Sequence, residues 1–182
     1  MKSMEDETRE LLLIEKGNQL AFDGFMTRHA QRLYVHAYGI LGSKELAEEV
    51  VSDVFLEVWN KRKELLEIEN MNKWLNTIVY HKSISSLRKE MKQRKNVPIE
   101  EMVNFRFPQM STPVDNMITQ EEQGKLKQAI DALPPKCKHV FFLAKIEQLP
   151  YADIADMLEI SLPTVNYHIA AAMGNLKKAL AK

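Results

Sequence analysis

No proline occurs before Pro98 in this 182-residue chain. Proline lacks the amide hydrogen that a helix interior needs and clashes with the preceding turn. Its absence lets the first 95 residues be almost unbroken helix. Pro98, Pro108 and Pro113 then fall close together, and the remaining prolines lie at or after Pro134. The stretch VPIEEMVNFRFPQMSTPVDN has weak periodicity and several turn residues, so it reads as a linker. From about Ile118 the helical patterning resumes. The expected fold is all-α: two small helical domains, residues 1–95 and 118–182, joined by a flexible linker at 96–117.

Four helices are expected in the first domain. Glu5–Lys16 ends at Gly17-Asn18, a good C-terminal signal. Leu20–Leu41 is amphipathic through Phe22, Phe25, Leu33, Ala37 and Leu41, and stops at Gly42. Ser43 caps Lys44–Arg62, whose apolar face is Leu46, Val50, Val51, Val54, Phe55, Val58 and Trp59. The fourth helix, Asn70–Met91, has a clear stripe at Trp74, Leu75 and Ile78. Ile84, Leu87 and Met91 fall on its opposite side, so either it bends near His81 or its far half meets a second surface.

The second domain carries LPPKCKHVFFLAKIEQLPYADIADMLEISLPTVNYHIAAAMGNLKKAL. Two helical patterns, with a short turn at Glu159-Ile160, make a helix-turn-helix, a unit that places its second helix in the DNA major groove. Tyr151–Leu158 is the first helix, with Ile154 and Leu158 on one face and Ala155 small enough for close approach. Ser161 is a natural N-cap, and Pro163 is tolerable in the first turn. Val165, Ile169, Ala172 (or Met173), Leu176 and Leu180 form the buried face of the second helix. Thr164, Tyr167, His168, Ala171 and Asn175 lie on the other side, within reach of base edges and phosphates. Glu159 occupies a turn position where φ is often positive, which costs a residue other than glycine about 1 kcal/mol.

Composition narrows the class. Hydrophobic content of 45% and charged content of 27% suit a soluble globular protein. No apolar run approaches the roughly 20 residues that span a bilayer, and the acidic start MKSMEDETRE does not read as a signal peptide. The single Cys137 excludes an intrachain disulfide and suits a reducing cytoplasm. The net charge of zero hides an asymmetry. Residues 1–60 hold 6 Lys/Arg against 11 Asp/Glu, whereas 61–95 hold 10 against 4. That basic block is what a distinct nucleic-acid face requires. In the acidic part, Glu45, Glu49 and Asp53 repeat at i, i+4, i+8, an acidic ridge suited to a basic partner. The five histidines show no metal-ligand spacing, no nucleophile motif is present, and no cofactor, metal or catalytic residue is expected.

Three stretches in order, AFDGFMTRHAQRLYVHAYGIL, ELAEEVVSDVFLEVWNKR and NKWLNTIVYHKSISSLRK, followed by the helix-turn-helix, resemble an extracytoplasmic-function sigma factor of bacterial RNA polymerase. That family keeps only conserved regions two and four of the larger sigma proteins. The resemblance implies that the helix containing Glu45, Glu49 and Asp53 binds the clamp helices of the polymerase β′ subunit. It implies contact with the −10 promoter element through Asn70, Asn72, Asn76, Thr77, Tyr80, His81, Lys82, Arg88, Lys89 and Lys92, the cations acting on phosphates. It assigns −35 recognition to Ser161, Thr164, Tyr167, His168 and Asn175. It further implies contact with the polymerase β flap, an anti-sigma factor as inhibitor, a monomer when free, and no membrane insertion. His81 and Ser85 depart from the Asn and Asp usual in the family, and Pro163 from a common Lys, so promoter preference need not follow the family. The alternative is a stand-alone helix-turn-helix regulator with a helical sensing or dimerisation domain. It predicts a dimer on a palindromic site, where the first reading predicts a monomer bound to polymerase and a bipartite promoter.

Overall fold

Several of the helices start where short polar side chains can take up the first free amides, whereas those at Pro135 and Tyr151 start behind a proline with no side-chain cap. Asn18, Ser43, Asn70 and Ser161 each accept a backbone N–H three residues on, from Ala21, Leu46, Lys73 and Thr164. Such a cap contributes about 1 kcal/mol. The computed structural model describes residues 4–91, 98, 103–108 and 120–181. Every regular element among them is helical. The elements are α1 (Met4–Glu15), α2 (Gln19–Leu41), α3 (Lys44–Asn60), a 3-10 segment Arg62–Glu67, α4 (Met71–Glu90), α5 (Gln120–Asp131), α6 (Pro135–Phe141), α7 (Tyr151–Leu158) and α8 (Leu162–Leu180). They divide into two compact units, residues 1–95 and 96–182.

In the first unit, α2, α3 and α4 pack on one another and α1 lies against α2 and the 3-10 segment. Phe25, Leu33, Ala37, Val50, Val54, Val58, Leu65, Leu75 and Val79 fill the core, with Phe22, Trp59 and Trp74 partly buried around it. An Arg28–Glu10 ion pair ties α2 to α1. The expected third helix is shorter by two residues, because the chain tightens into the 3-10 segment after Lys61.

The divided stripe of α4 has a simple resolution. Its buried residues are Leu75, Asn76, Ile78, Val79, Ser83, Ile84 and Leu87, in one uninterrupted helix. Asn76 and Ser83 sit within a buried band that wraps more than half of the helix: Leu75 and Ile84 lie on opposite sides, and Ile84 and Leu87 are buried outside the cluster that holds Leu75, Ile78 and Val79. Asn76 is accommodated by His36 of α2, whose Nδ1 lies 2.7 Å from its Oδ1. The Asn76 amide in turn donates to the backbone oxygen and Oδ1 of Asn72, at 3.0 and 3.1 Å. His36 is fully buried, and burial holds its pKa down to about 4. The ring is therefore neutral at pH 7, and Nδ1–H donates to Asn76.

The second unit packs α6 and α5 on α8, with α7 against α8 from another side. Cys137, Phe141, Leu133, Ala129, Ala172 and Leu176 form one cluster, and Ile154, Met157, Val165 and Ile169 are buried beside the turn. Beyond α6 the helix widens into a π turn at Phe142–Ile146, where Glu147 N–H donates to Phe142 O at 3.0 Å. The second helix of the motif buries Val165, Ile169, Ala172 and Leu176 as its periodicity requires. Leu180 and Met173 do not belong to that face; both are about half exposed. Leu176 is the last core residue of α8, and Leu180 lies a full turn beyond it.

The expected linker 96–117 is not uniform. Within it, Phe105 is completely buried, stacked 4.5 Å from the His139 ring and 5.3 Å from Phe142. Phe107 meets Phe142 edge-on at 5.8 Å. Two phenylalanines two residues apart thus make 103–108 part of the second unit's core. The other residues of 96–117, Pro98 excepted, lie outside the described part.

Candidate polymerase and nucleic-acid interfaces

On α3, burial of Val50, Val54 and Val58 turns the opposite side outward. Glu45, Glu49 and Asp53 are all exposed there, one above the other, as their spacing requires. Glu45 is held lower than the usual carboxylate range by a backbone amide at the helix start and by the Ser43 hydroxyl, 3.1 Å away. The same ridge carries Leu56, 59% exposed, which charge spacing alone did not single out. The signal was available: Leu56 lies off the valine face, so α3 spends an apolar side chain on water. Glu57 turns aside from the ridge and accepts from Lys61 and Lys82, both at 3.0 Å.

The candidate −10 residues fall into three groups. Thr77, His81 and Arg88 share the face of α4 away from the core, with Ser85 between them; His81 and Arg88 are exposed. Tyr80 lies on one flank, half-buried, and Lys89 is exposed. The structure corrects Asn76, which is 1% exposed and spent on His36 and Asn72. It cannot reach DNA while α4 keeps its place in the core. Asn70 is the N-cap of α4, and the Asn72 side chain accepts from Asn76. Lys82 is ion-paired to Glu57 across α3 and α4, so it is not the open phosphate contact that the resemblance implied. Lys92 lies outside the described residues.

On α8, Tyr167 is 69% exposed and Asn175 is exposed. Ser161 and Thr164 are joined to each other, hydroxyl to hydroxyl at 2.7 Å, as well as through the cap. His168 departs from the open set: it is half-buried on the flank of α8, with Nδ1 3.2 Å from the Cys137 sulfur. Burial and the neighbouring Lys136 push its pKa below the ordinary imidazole value. Glu159, in the turn, has φ 54° and ψ 41°.

Among the described residues, no group of three or more His, Cys, Asp or Glu side chains is placed to hold a metal. No described helix is long and apolar enough to cross a membrane.

Residues 25–93 match the family model for Sigma-70 region 2, and residues 123–176 the model for Sigma-70, region 4. The two lie in separate structural units and in that order along the chain. The chain belongs to the extracytoplasmic-function sigma factors. The relatives carry the same family name. The ECF RNA polymerase sigma factor SigE of Mycolicibacterium smegmatis is 26% identical over 170 residues, which cover 91% of this chain and 65% of that protein. SigW of Bacillus subtilis is 24% identical over 174 residues, covering 92% of each. This sigma factor thus spans just under two thirds of the first relative and most of the second. Its fold resembles CnrH in the complex with the cytosolic domain of CnrY, with a TM-score of 0.55, 19% identity and 96% of each chain covered. It likewise resembles the sigma factor RpoE of Bartonella quintana, solved with the anti-sigma factor NepR, with a TM-score of 0.58, 19% identity and 98% of each chain covered.

Proposed function

We propose that this sigma factor docks on core RNA polymerase through the outer ridge of α3 and reads bipartite promoters with α4 and α8. The observation that carries the docking part is the ridge itself. Glu45, Glu49, Asp53 and the exposed Leu56 put charge and an apolar anchor on one unpacked face. A partner surface with basic side chains and an apolar seat fits that face, and the clamp helices expected from the family supply such a partner. The outer face of α4 (Thr77, His81 and Arg88, with Lys89 beside them) takes the −10 element, with Asn70 at the N-cap and Asn72 in the first turn at its start. Tyr167, His168 and Asn175 of α8 take the −35 element, with Ser161 and Thr164 building the helix N-terminus that faces phosphate. The second unit also meets the β flap. Two structures of similar fold are of complexes, CnrH with the cytosolic domain of CnrY and the sigma factor RpoE with the anti-sigma factor NepR, and we infer that an anti-sigma factor restrains this chain as well. The factor works as a cytoplasmic monomer without catalytic chemistry of its own.

The docking face is tested by titrating core polymerase with a Glu49→Lys/Asp53→Lys variant and, separately, with Leu56→Ala. Each variant should weaken the complex by about tenfold or more, equivalent to about 1.4 kcal/mol. Helical content should be unchanged, because all three side chains are exposed. Wild-type affinity in both folded variants would return the ridge to the status of solvated surface.

A further inference from the structure

Of the outward residues on α8, His168 has a side chain joined directly to another element. Cys137, in the first turn of α6, is buried, and its Sγ approaches Nδ1 of His168 at 3.2 Å. We propose that Cys137 is a positioning residue for promoter reading: its thiol donates to Nδ1 of His168, places the ring proton on Nε2, and so presents His168 to −35 DNA as a hydrogen-bond donor. The inference rests on the assignment of α8 as the −35 helix.

Two arrangements of the proton would satisfy the contact, S–H to Nδ1 or Nδ1–H to sulfur. Sulfur is a weak partner in either role, so the imidazole decides: its neutral ring prefers the proton on Nε2 and leaves Nδ1 to accept, which favours the first. Both groups are also kept neutral. Burial pushes the Cys137 thiol up, and burial with Lys136 pushes His168 down. A neutral imidazole that accepts at Nδ1 must carry its proton on Nε2, the nitrogen turned away from Cys137. In the major groove, guanine offers N7 and O6, adenine N7 and thymine O4, whereas cytosine offers only its amino donor. A fixed Nε2–H therefore discriminates against cytosine at the base it meets. A phosphate oxygen would accept the same proton with no base preference.

The test uses the full chain labelled with 15N. Long-range proton–nitrogen spectra of the imidazoles, with His168 assigned by its loss in His168→Gln, should show the Nε2–H tautomer. Cys137→Ser, which keeps a donor, should retain it, and Cys137→Ala should give a tautomer mixture. In transcription from −35 variants with core polymerase, His168→Ala should lose the discrimination against cytosine at one position. Cys137→Ala should reduce it severalfold, and Cys137→Ser should stay within about twofold of wild type. An Nδ1–H tautomer in the wild type, or a tautomer indifferent to Cys137→Ala, would overturn the positioning role even if His168 still sets a preference. The predicted tautomer with a −35 profile unaltered by His168→Ala, or lowered equally at every base, would instead overturn the base-reading role. An equal lowering would mean a phosphate contact and leave the assignment of α8 standing, whereas an unaltered profile would count against that assignment as well.

Discussion

Glu159 shows how a single residue can be strained in a legible way. The turn of the helix-turn-helix requires a left-handed residue, and the chain supplies a glutamate at φ 54°. Its cost follows from the Cβ, which glycine lacks. Glu159→Gly should therefore raise the stability of the second unit by about 0.5–1 kcal/mol, the relief of strain outweighing glycine's greater freedom when unfolded. A denaturant midpoint that fell in this variant would show the turn to be unstrained. Gln148, also at φ 54°, could not be foreseen, because neither glycine nor asparagine marks the end of the π turn. His36 was unforeseen for a related reason: a histidine on a helix gives no sign of full burial until its partner is known. Its consequence is a pH dependence of definite sign. The unfolded imidazole binds a proton below about pH 6.5, while the folded one resists until about 4. Stability of the first unit should be complete above pH 6.5 and fall as the pH drops toward 4. His36 can account for up to about 2–3 kcal/mol of that loss. His29, held to about 4 chiefly by burial and also by Arg28 and Arg32, acts in the same direction. His36→Gln should flatten the dependence by roughly one proton across this window, and an unchanged slope would mean that His36 is not held neutral.

At the scale of elements, legibility tracked how purely apolar each buried face was. The face of α3 is built of valines with aromatic neighbours, and both its core side and its acidic side could be read from spacing. The buried band of α4 includes Asn76 and Ser83 and wraps more than half of the helix, so no single apolar stripe could reveal it. The same polar insertion put Asn76 among the expected DNA contacts, since an asparagine on a helix reads as solvent-facing until its partner is found. The linker misled in the opposite direction. Its prolines and weak pattern concealed Phe105, whose burial depends on His139 and Phe142, more than 30 residues away. Phe105→Ala removes a fully buried ring and should cost about 3–5 kcal/mol, read as an earlier unfolding of the second unit. The transition of the first unit should not move. A loss below about 1 kcal/mol would mean that 103–108 is not part of that core.

For the whole molecule, the order of modules was more legible than the detail of any one. Helices without proline, a proline-marked break, and a helix-turn-helix already defined two units, and the family matches fall one in each. Charge distribution was less direct. Lys61 and Lys82 of the basic block are both engaged by Glu57, so the open cationic surface of the described residues is smaller than composition indicates. The proposed docking ridge and the two proposed DNA faces lie on different elements, α3, α4 and α8, so the proposed function requires all three at once. Transcription in vitro with core polymerase tests this most directly, using templates in which the −10 and −35 elements are altered separately. Transcripts should require the chain and weaken with changes in either element, with α4 variants altering the response to the first and α8 variants to the second. Binding of a dimer to a palindromic site without polymerase, with no transcript gained on any template, would contradict the proposed function.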